Sequence, residues 1–154
     1  MIDLPLATPR LRSGYEYWNA KRGQRAMPGR ADLDPAEIKP LLPHVVLIDV
    51  LRNAHTGPLD FRYRLIGTTV DDHSIGRYTG MLMSSLPHQQ PPSRMWSNFE
   101  SVVTERQPKV SRVPYAGPHR DFLSVIDILM PLSTDGEVVD MIFGLVDFVP
   151  RELR

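Results

Sequence analysis

Residues 122–149 read FLSVIDILMPLSTDGEVVDMIFGLVDFV. Two largely apolar runs flank the turn-forming sequence TDG, which predicts an antiparallel hairpin of strands over 122–132 and 138–149. Both runs are apolar on both sides of an extended strand, so each face of the sheet must be covered by another element. This hairpin therefore decides the fold, because something has to pack on its front and on its back.

Three more strands are predicted upstream of the hairpin. Residues 45–51 are mostly apolar and β-branched, and residues 109–115 form a shorter strand whose Pro114 suits a sheet edge. Between these two segments, residues 59–65 alternate between apolar and polar, which predicts a strand with one wet face. The apolar set is Leu59, Phe61, Tyr63 and Leu65, and the polar set is Asp60, Arg62 and Arg64.

Helical segments precede the strands. Thr8-Pro9 supplies an N-cap and a proline for the first helical position, which predicts a helix over 9–22. Asp34 and Glu37 have the spacing of a capping box, so we expect a second, short helix that runs to about residue 41 and is stopped by Pro43.

Two further helices are predicted between the second and third strands. The first is short, begins at Gly67-Thr68, and carries Asp71, Asp72 and His73. The second is the long central helix, which opens after Pro91-Pro92 and stops before Gln107-Pro108. Its apolar residues repeat at helical spacing, at Met95, Phe99, Val102 and Val103.

The order of these elements lacks strict βαβ alternation. It predicts an α+β fold, with a five-stranded antiparallel sheet, helices on one face and an extra N-terminal helix. Only that helix remains to cover the second face of the sheet, and any part that it leaves open predicts a homodimer interface. The expected contact residues are the apolar ones of the helix: Leu11, Tyr15 and Trp18.

The same order of elements resembles a PAS domain, in which short helices and one long helix lie between the second and third strands. Local motifs resemble, more narrowly, the solo PAS-domain proteins of a largely alphaproteobacterial subfamily. The motifs run in order over about residues 10 to 149 and comprise Tyr17-Trp18, Lys21, Gly23, Met27-Pro28, Arg30, Ala31-Asp32, Asp34-Pro35, Leu41-Leu42-Pro43-His44, Phe61 to Thr68, and Thr79-Gly80.

The resemblance implies one PAS-like domain over 1–154, with an N-terminal helix and linker at about 9–34 and a PAS core at about 35–149. It further implies a sensory or regulatory module with no catalytic residues, which acts through contacts with itself and with a signalling protein. A PAS core encloses a cavity between sheet and helices, where a small molecule can bind. The resemblance implies no common ligand, so the cofactor stays unknown.

Soft, flat side chains are the candidates for lining such a cavity. Thioethers and aromatic rings adapt to an apolar guest, and each of these residues would otherwise fill the core. The candidate ligand-binding residues are Tyr63, Met81, Met95, Trp96, Phe99 and Phe143. We therefore expect a small apolar molecule as the ligand.

Composition excludes several function classes. The 154 residues contain no Cys, which removes disulfides, thiolate metal sites and cysteine nucleophiles. Lys+Arg and Asp+Glu number 18 each, so we expect no nucleic-acid partner, although the basic first thirty residues leave a polyanion contact open. His73 alone suits haem iron, but we expect it to be exposed and predict no metal site. The start of the chain lacks a secretion or membrane signal, which predicts a cytoplasmic protein without membrane insertion.

A second class of function stays open alongside the sensor. Asp127 and Asp147 interrupt apolar strands, and a carboxylate in such surroundings can have a raised pKa and act as a general base. The alternative prediction is therefore a small α+β enzyme that uses one of these carboxylates in the same cavity. Pocket geometry discriminates between the two, since catalysis needs a carboxylate facing an open cleft beside a hydrogen-bond donor.

Overall fold

The structure is a computed structural model that describes residues 7–54, 57–113, 117–119 and 123–151. It contains three α-helices and five strands over this part of the chain: α1 Pro9–Arg22, β1 Val45–Ala54, β2 Gly57–Ile66, α2 Thr68–Asp72, α3 Arg94–Glu105, β3 Lys109–Val113, β4 Leu123–Leu132 and β5 Met141–Pro150. Among the described residues, no helix combines the length and the apolar character needed to cross a bilayer. The predicted strand ends at Tyr115 and Phe122 lie outside the described residues.

The five strands form one antiparallel sheet in the order β2-β1-β5-β4-β3. The predicted α+β class and the hairpin of the last two strands are confirmed, with β3 at one edge. The turn between β4 and β5 begins where expected. Asp135 Oδ1 accepts the backbone N–H of Glu137 at 2.8 Å and of Val138 at 2.9 Å, and Gly136 has a φ of +83° that an L residue rarely adopts.

Strand alternation gives the sheet two different faces. We call the face of the sheet that lies toward α2 and α3 the inner face. Strand β5 contributes Gly144, Val146 and Phe148 to it. Phe143 and Leu145 point the other way, toward α1, on the outer face. The neighbouring strand follows the same register, because Leu129 pairs with Gly144, and Met130 pairs with Phe143.

Helix α1 covers the outer face of the sheet. Its Gly14 lies so close to β5 that an added Cβ would be 1.9 Å from Leu145 Cδ1. The Trp18 indole N–H donates to the carbonyl of Pro131 at 2.8 Å. The expected N-cap at Thr8 is present, since its Oγ1 accepts the Leu11 N–H at 3.3 Å.

This packing corrects the premise of the predicted dimer interface. Leu11 is fully buried and Trp18 is 3% exposed, both within their own chain, while Tyr15 is half-buried. The centre of the outer face is covered by α1 of the same protomer. Its central side chains are all buried: Leu47, Ile126, Ile128, Met130, Phe143 and Leu145. The apolar hairpin therefore provides no physical argument for self-association.

The segment after α1 differs from its prediction. Instead of a second α-helix, residues 30–44 form three 3-10 segments, Arg30–Asp32, Pro35–Glu37 and Lys39–His44, and the last contains Pro43. Asp34 does cap, because its Oδ1 accepts the Ala36 N–H at 3.0 Å. Glu37 does not complete a capping box. It binds Lys21 and Tyr17 of α1, each at 2.9 Å, so tertiary contacts replace the local one.

Strand β2 departs from strict alternation. Leu47 pairs with Leu65, but Ile48 pairs with Tyr63, so a bulge inserts one extra residue between them. The bulge turns Leu65 to the outer face, where it is 45% exposed instead of buried as expected. Asp60, expected on the wet face, is buried, because the backbone N–H and hydroxyl of Ser84 both donate to its carboxylate.

Candidate functional site

A cavity of about 140 Å³ lies between the inner face of the sheet and the helical side of the domain. Strands β1, β2, β4 and β5 form its floor, α2 and α3 form its walls, and Gly117 lies at its border. The lining is mostly apolar. Gly144 helps to leave room here, because it contributes no side chain at the centre of the floor.

The predicted ligand-binding residues fall into two groups. Tyr63, Met95 and Phe99 line the cavity. Met81, Trp96 and Phe143 do not, so the structure brings only half of the predicted set together. Whether the three lining residues bind a ligand stays a prediction.

The three residues outside the lining are held elsewhere for identifiable reasons. Met81 is 38% exposed, and its carbonyl accepts the backbone N–H of Tyr63 at 3.1 Å. Trp96 packs edge-on against Phe61, with ring centroids 5.1 Å apart. Phe143 points to the outer face under α1, because it neighbours Gly144 on a strand whose side chains alternate.

Asp127 is the one carboxylate of β4 and β5 on the inner face. It lines the cavity and is 5% exposed. The Ser111 hydroxyl donates to its Oδ1 at 2.9 Å, and the Asn98 side-chain amide donates to the Ser111 oxygen at 3.1 Å. Burial raises the pKa of Asp127 to about 7, with the Ser111 hydrogen bond acting in the opposite direction. The carboxyl group thus changes charge near neutral pH.

A second polar group lies on the floor formed by β2. The Tyr63 hydroxyl donates to the side-chain oxygen of Gln89, and the Gln89 amide lies 3.2 Å from the Nε2 atom of His88. Burial, and then the negative charge of Asp127, raise the pKa of Tyr63, so the phenol stays protonated. The Gln89 hydrogen bonds orient both neighbours toward the cavity.

His73 contradicts the expectation that it is exposed. It is half-buried, lines the cavity and stacks on Phe148 with ring centroids 4.1 Å apart. Its Nδ1 lies 2.8 Å from the Thr69 carbonyl oxygen, and since a carbonyl only accepts, Nδ1 carries the proton. In the neutral ring, Nε2 is then the acceptor.

Asp147, the other candidate base, lies on the outer face. It is also 5% exposed, and its carboxylate accepts the Thr8 hydroxyl at 2.7 Å and Arg10 Nη1 at 2.6 Å. Asp147 therefore fastens the first turn of α1 to β5. This placement removes Asp147 from the cavity and leaves Asp127 as the only one of the two carboxylates there.

Ser111, Asn98 and Gly144 were not predicted as parts of a site. The feature of the sequence that indicates this part of the site is a charged residue, Asp127, inside an apolar strand. Its donors could not be read from the sequence, because Ser111 meets Asp127 only through the pairing of β3 with β4, and Asn98 meets Ser111 only through the packing of α3.

Comparison with protein families shows that residues 6–147 match the family model described as PAS domain. The chain belongs to the PAS domain family. Among solved structures, it resembles one described as a sensory box sensor histidine kinase from Vibrio cholerae. The identity is 12% and the TM-score is 0.47, over 74% of this chain and 88% of that one. A search of curated proteins found no match.

Proposed function

We propose that residues 1–154 act as a single noncatalytic sensory PAS module that binds a small molecule in the inner cavity and reports its presence through α1. Membership of the PAS family supports a sensory or regulatory role. The observation that carries the proposal is the cavity itself, which is apolar, lies between sheet and helices, and has a size suited to one small molecule.

The geometry of β5 supplies a route from the cavity to α1. Val146 and Phe148 line the cavity, while Asp147 between them binds Thr8 and Arg10 on the opposite face. Neighbouring residues of a strand move together, so a ligand that displaces Val146 or Phe148 also displaces Asp147. A change in the cavity then alters the packing of α1 without any separate domain motion.

The output surface follows from what α1 leaves accessible. Leu11 and Trp18 are buried, but the side of α1 that carries Ser13, Glu16 and Ala20 is exposed. We propose that this polar side of α1 contacts an unidentified signalling protein in the cytoplasm. The homodimer stays a prediction that a solution mass measurement tests. If the chain sediments as a monomer at high concentration, we propose that it signals through the contact between α1 and the partner protein alone.

The test is a titration with toluene, a neutral single-ring probe, followed by hydrogen exchange of the α1 backbone amides. We expect saturable binding and altered exchange in the first two turns of α1. The variant Val146→Phe fills the cavity and should abolish both effects. Val149→Phe is the matched control, because it adds the same ring on the outer side of the same strand.

Two results would contradict the proposal. If toluene binds Val146→Phe as well as the wild type, the cavity is not the binding site. If toluene binds and exchange of α1 stays unchanged, the route through Asp147 is wrong, even though the cavity accepts a ligand.

A further inference from the structure

Two polar groups of the cavity present hydrogen-bond acceptors without a described donor. Asp127 presents a carboxyl group, and Nε2 of His73 is an acceptor because Nδ1 donates to Thr69. The Tyr63 proton is already engaged with Gln89. None of the described residues that line the cavity is Lys or Arg. An occupant that brings its own donors would therefore complement this site, whereas an anion would meet no positive charge.

Asp127 itself lacks a charged partner among the described residues. Ser111 donates to Oδ1, and no described side chain donates to Oδ2. A buried carboxylate without a cation is costly, and a cation in hydrogen-bond contact offsets part of that cost. On the outer face, the buried carboxylate of Asp147 has such a cation, because Arg10 forms an ion pair with it. On the inner face, no described Lys or Arg of the cavity lining supplies such a charge.

We propose that the cavity ligand is a small amphipathic cation, with an apolar body about the size of one ring and a protonated nitrogen that binds Oδ2 of Asp127. The inference rests on the proposed function and specifies its ligand class. The apolar walls at Met95 and Phe99 accept the ring. The volume of about 140 Å³ sets the size, since an apolar cavity of about 150 Å³ takes up benzene.

Other titratable groups on the cavity walls affect the same measurement. His73 and His88 also line the cavity, and a positive charge on either imidazole would disfavour a cation there. The phenols of Tyr63 and Tyr78 line the cavity as well, and burial raises the pKa of Tyr63, so that its phenol stays protonated. A variant at position 127 is therefore needed to separate the carboxyl group from the two histidines.

The experiment compares benzylamine with toluene, which has nearly the same shape but no charge. Benzylamine should bind the wild-type protein more tightly than toluene at pH 8 and about tenfold more weakly at pH 6 than at pH 8, because Asp127 is then protonated. Asp127→Asn should weaken benzylamine binding at pH 8 by about tenfold or more. Toluene binding should stay within about twofold in the same variant.

Asp72→Asn is the matched control, because it removes the same charge from an exposed position on α2. It should leave benzylamine binding within about twofold. If Asp127→Asn fails to fold, the wild-type comparison of the two probes at pH 6 and pH 8 still decides. Equal binding of both probes at pH 8 overturns the cation proposal and leaves the sensory cavity intact. If neither probe binds, the proposed function falls as well.

Discussion

The two faces of the same sheet are packed in opposite ways. On the outer face, Gly14 brings α1 against Leu145, and the Trp18 indole bonds to a strand carbonyl, so α1 packs closely on the sheet. On the inner face, Gly144 and the surrounding side chains leave a cavity of about 140 Å³. The same strands thus form a closely packed core on one side and the floor of a cavity on the other.

The difference extends to the two buried aspartates. Asp147 and Asp127 are equally inaccessible, yet Asp147 is paired with Arg10, while Asp127 accepts the Ser111 hydroxyl and has no cationic partner in the part of the chain that the structure describes. Paired charge holds the fold together on the outer face. On the inner face, burial raises the pKa of Asp127 to about 7, so its charge is sensitive to pH near neutrality. The outer face therefore stabilises the fold, and the proposed sensing depends on the inner face.

The largest expected effect tests the packing difference. Leu145→Ala on the outer face should lower the free energy of unfolding by about 4 kcal/mol, because it leaves a void under α1. Leu129→Ala removes the same atoms on the inner face, where the side chain already borders the cavity. Because part of the Leu129 side chain already faces the cavity, its removal loses fewer van der Waals contacts. We therefore expect the free energy of unfolding to fall by about 2 kcal/mol.

Chemical denaturation of the two variants under one condition measures this difference directly. An exposed substitution on α1, such as Glu16→Ala, should change stability by less than about 0.5 kcal/mol and serves as the baseline. If Leu129→Ala is as costly as Leu145→Ala, the two faces are equally filled and the contrast between them is wrong.

The next effect concerns the pH dependence of stability. The pKa of Asp127 is raised from 3.8 to about 7 in the folded protein, so the native state binds more protons than the unfolded state between these values. The stability that this group contributes is complete below about pH 4 and is lost as pH rises through about 7. We expect the loss to be about 3 kcal/mol, since each pKa unit is worth about 1.4 kcal/mol and solvent relaxation reduces the total.

Unfolding of the wild type and of Asp127→Asn between pH 4 and pH 8 isolates this contribution. The variant keeps the shape and the Ser111 contact but cannot ionise, so its stability relative to wild type should rise across the interval. Asp147→Asn is the comparison on the outer face, where loss of the Arg10 pair should cost about 1 to 2 kcal/mol. A wild-type curve parallel to that of Asp127→Asn would mean that Asp127 does not titrate there.

Much of the fold could be predicted because the relevant signals are local. The apolar hairpin gave the two covered faces, Thr8-Pro9 gave the start of α1, and the spacing of Met95 and Phe99 gave α3. The errors arose where tertiary contacts override local preference. Glu37 leaves its capping box for Lys21, and a bulge in β2 turns Leu65 outward, neither of which periodicity reveals.

The site was less predictable, since a cavity is a space between elements. Aromatic and methionine content does not say which face of a strand a side chain occupies, so Phe143 was grouped with residues of the opposite face. Asp127 was recognisable as an interruption of an apolar strand. Its separation from Asp147 required the parity of the strands and the position of α1, which only the assembled sheet provides.

The smallest effect tests how tightly α1 is fitted. Replacing a helical glycine by alanine ordinarily stabilises a protein by up to about 1 kcal/mol through backbone entropy. At Gly14 the added Cβ would lie 1.9 Å from Leu145 Cδ1, and overpacking a filled core costs about 1 to 3 kcal/mol. The cost of the clash exceeds the entropic gain, so Gly14→Ala should destabilise the protein by about 1 kcal/mol.

Ser13→Ala, one residue away and exposed, should be neutral or slightly stabilising in the same thermal unfolding measurement. A stabilised Gly14→Ala would show that Leu145 moves aside freely and that the outer face has space to spare.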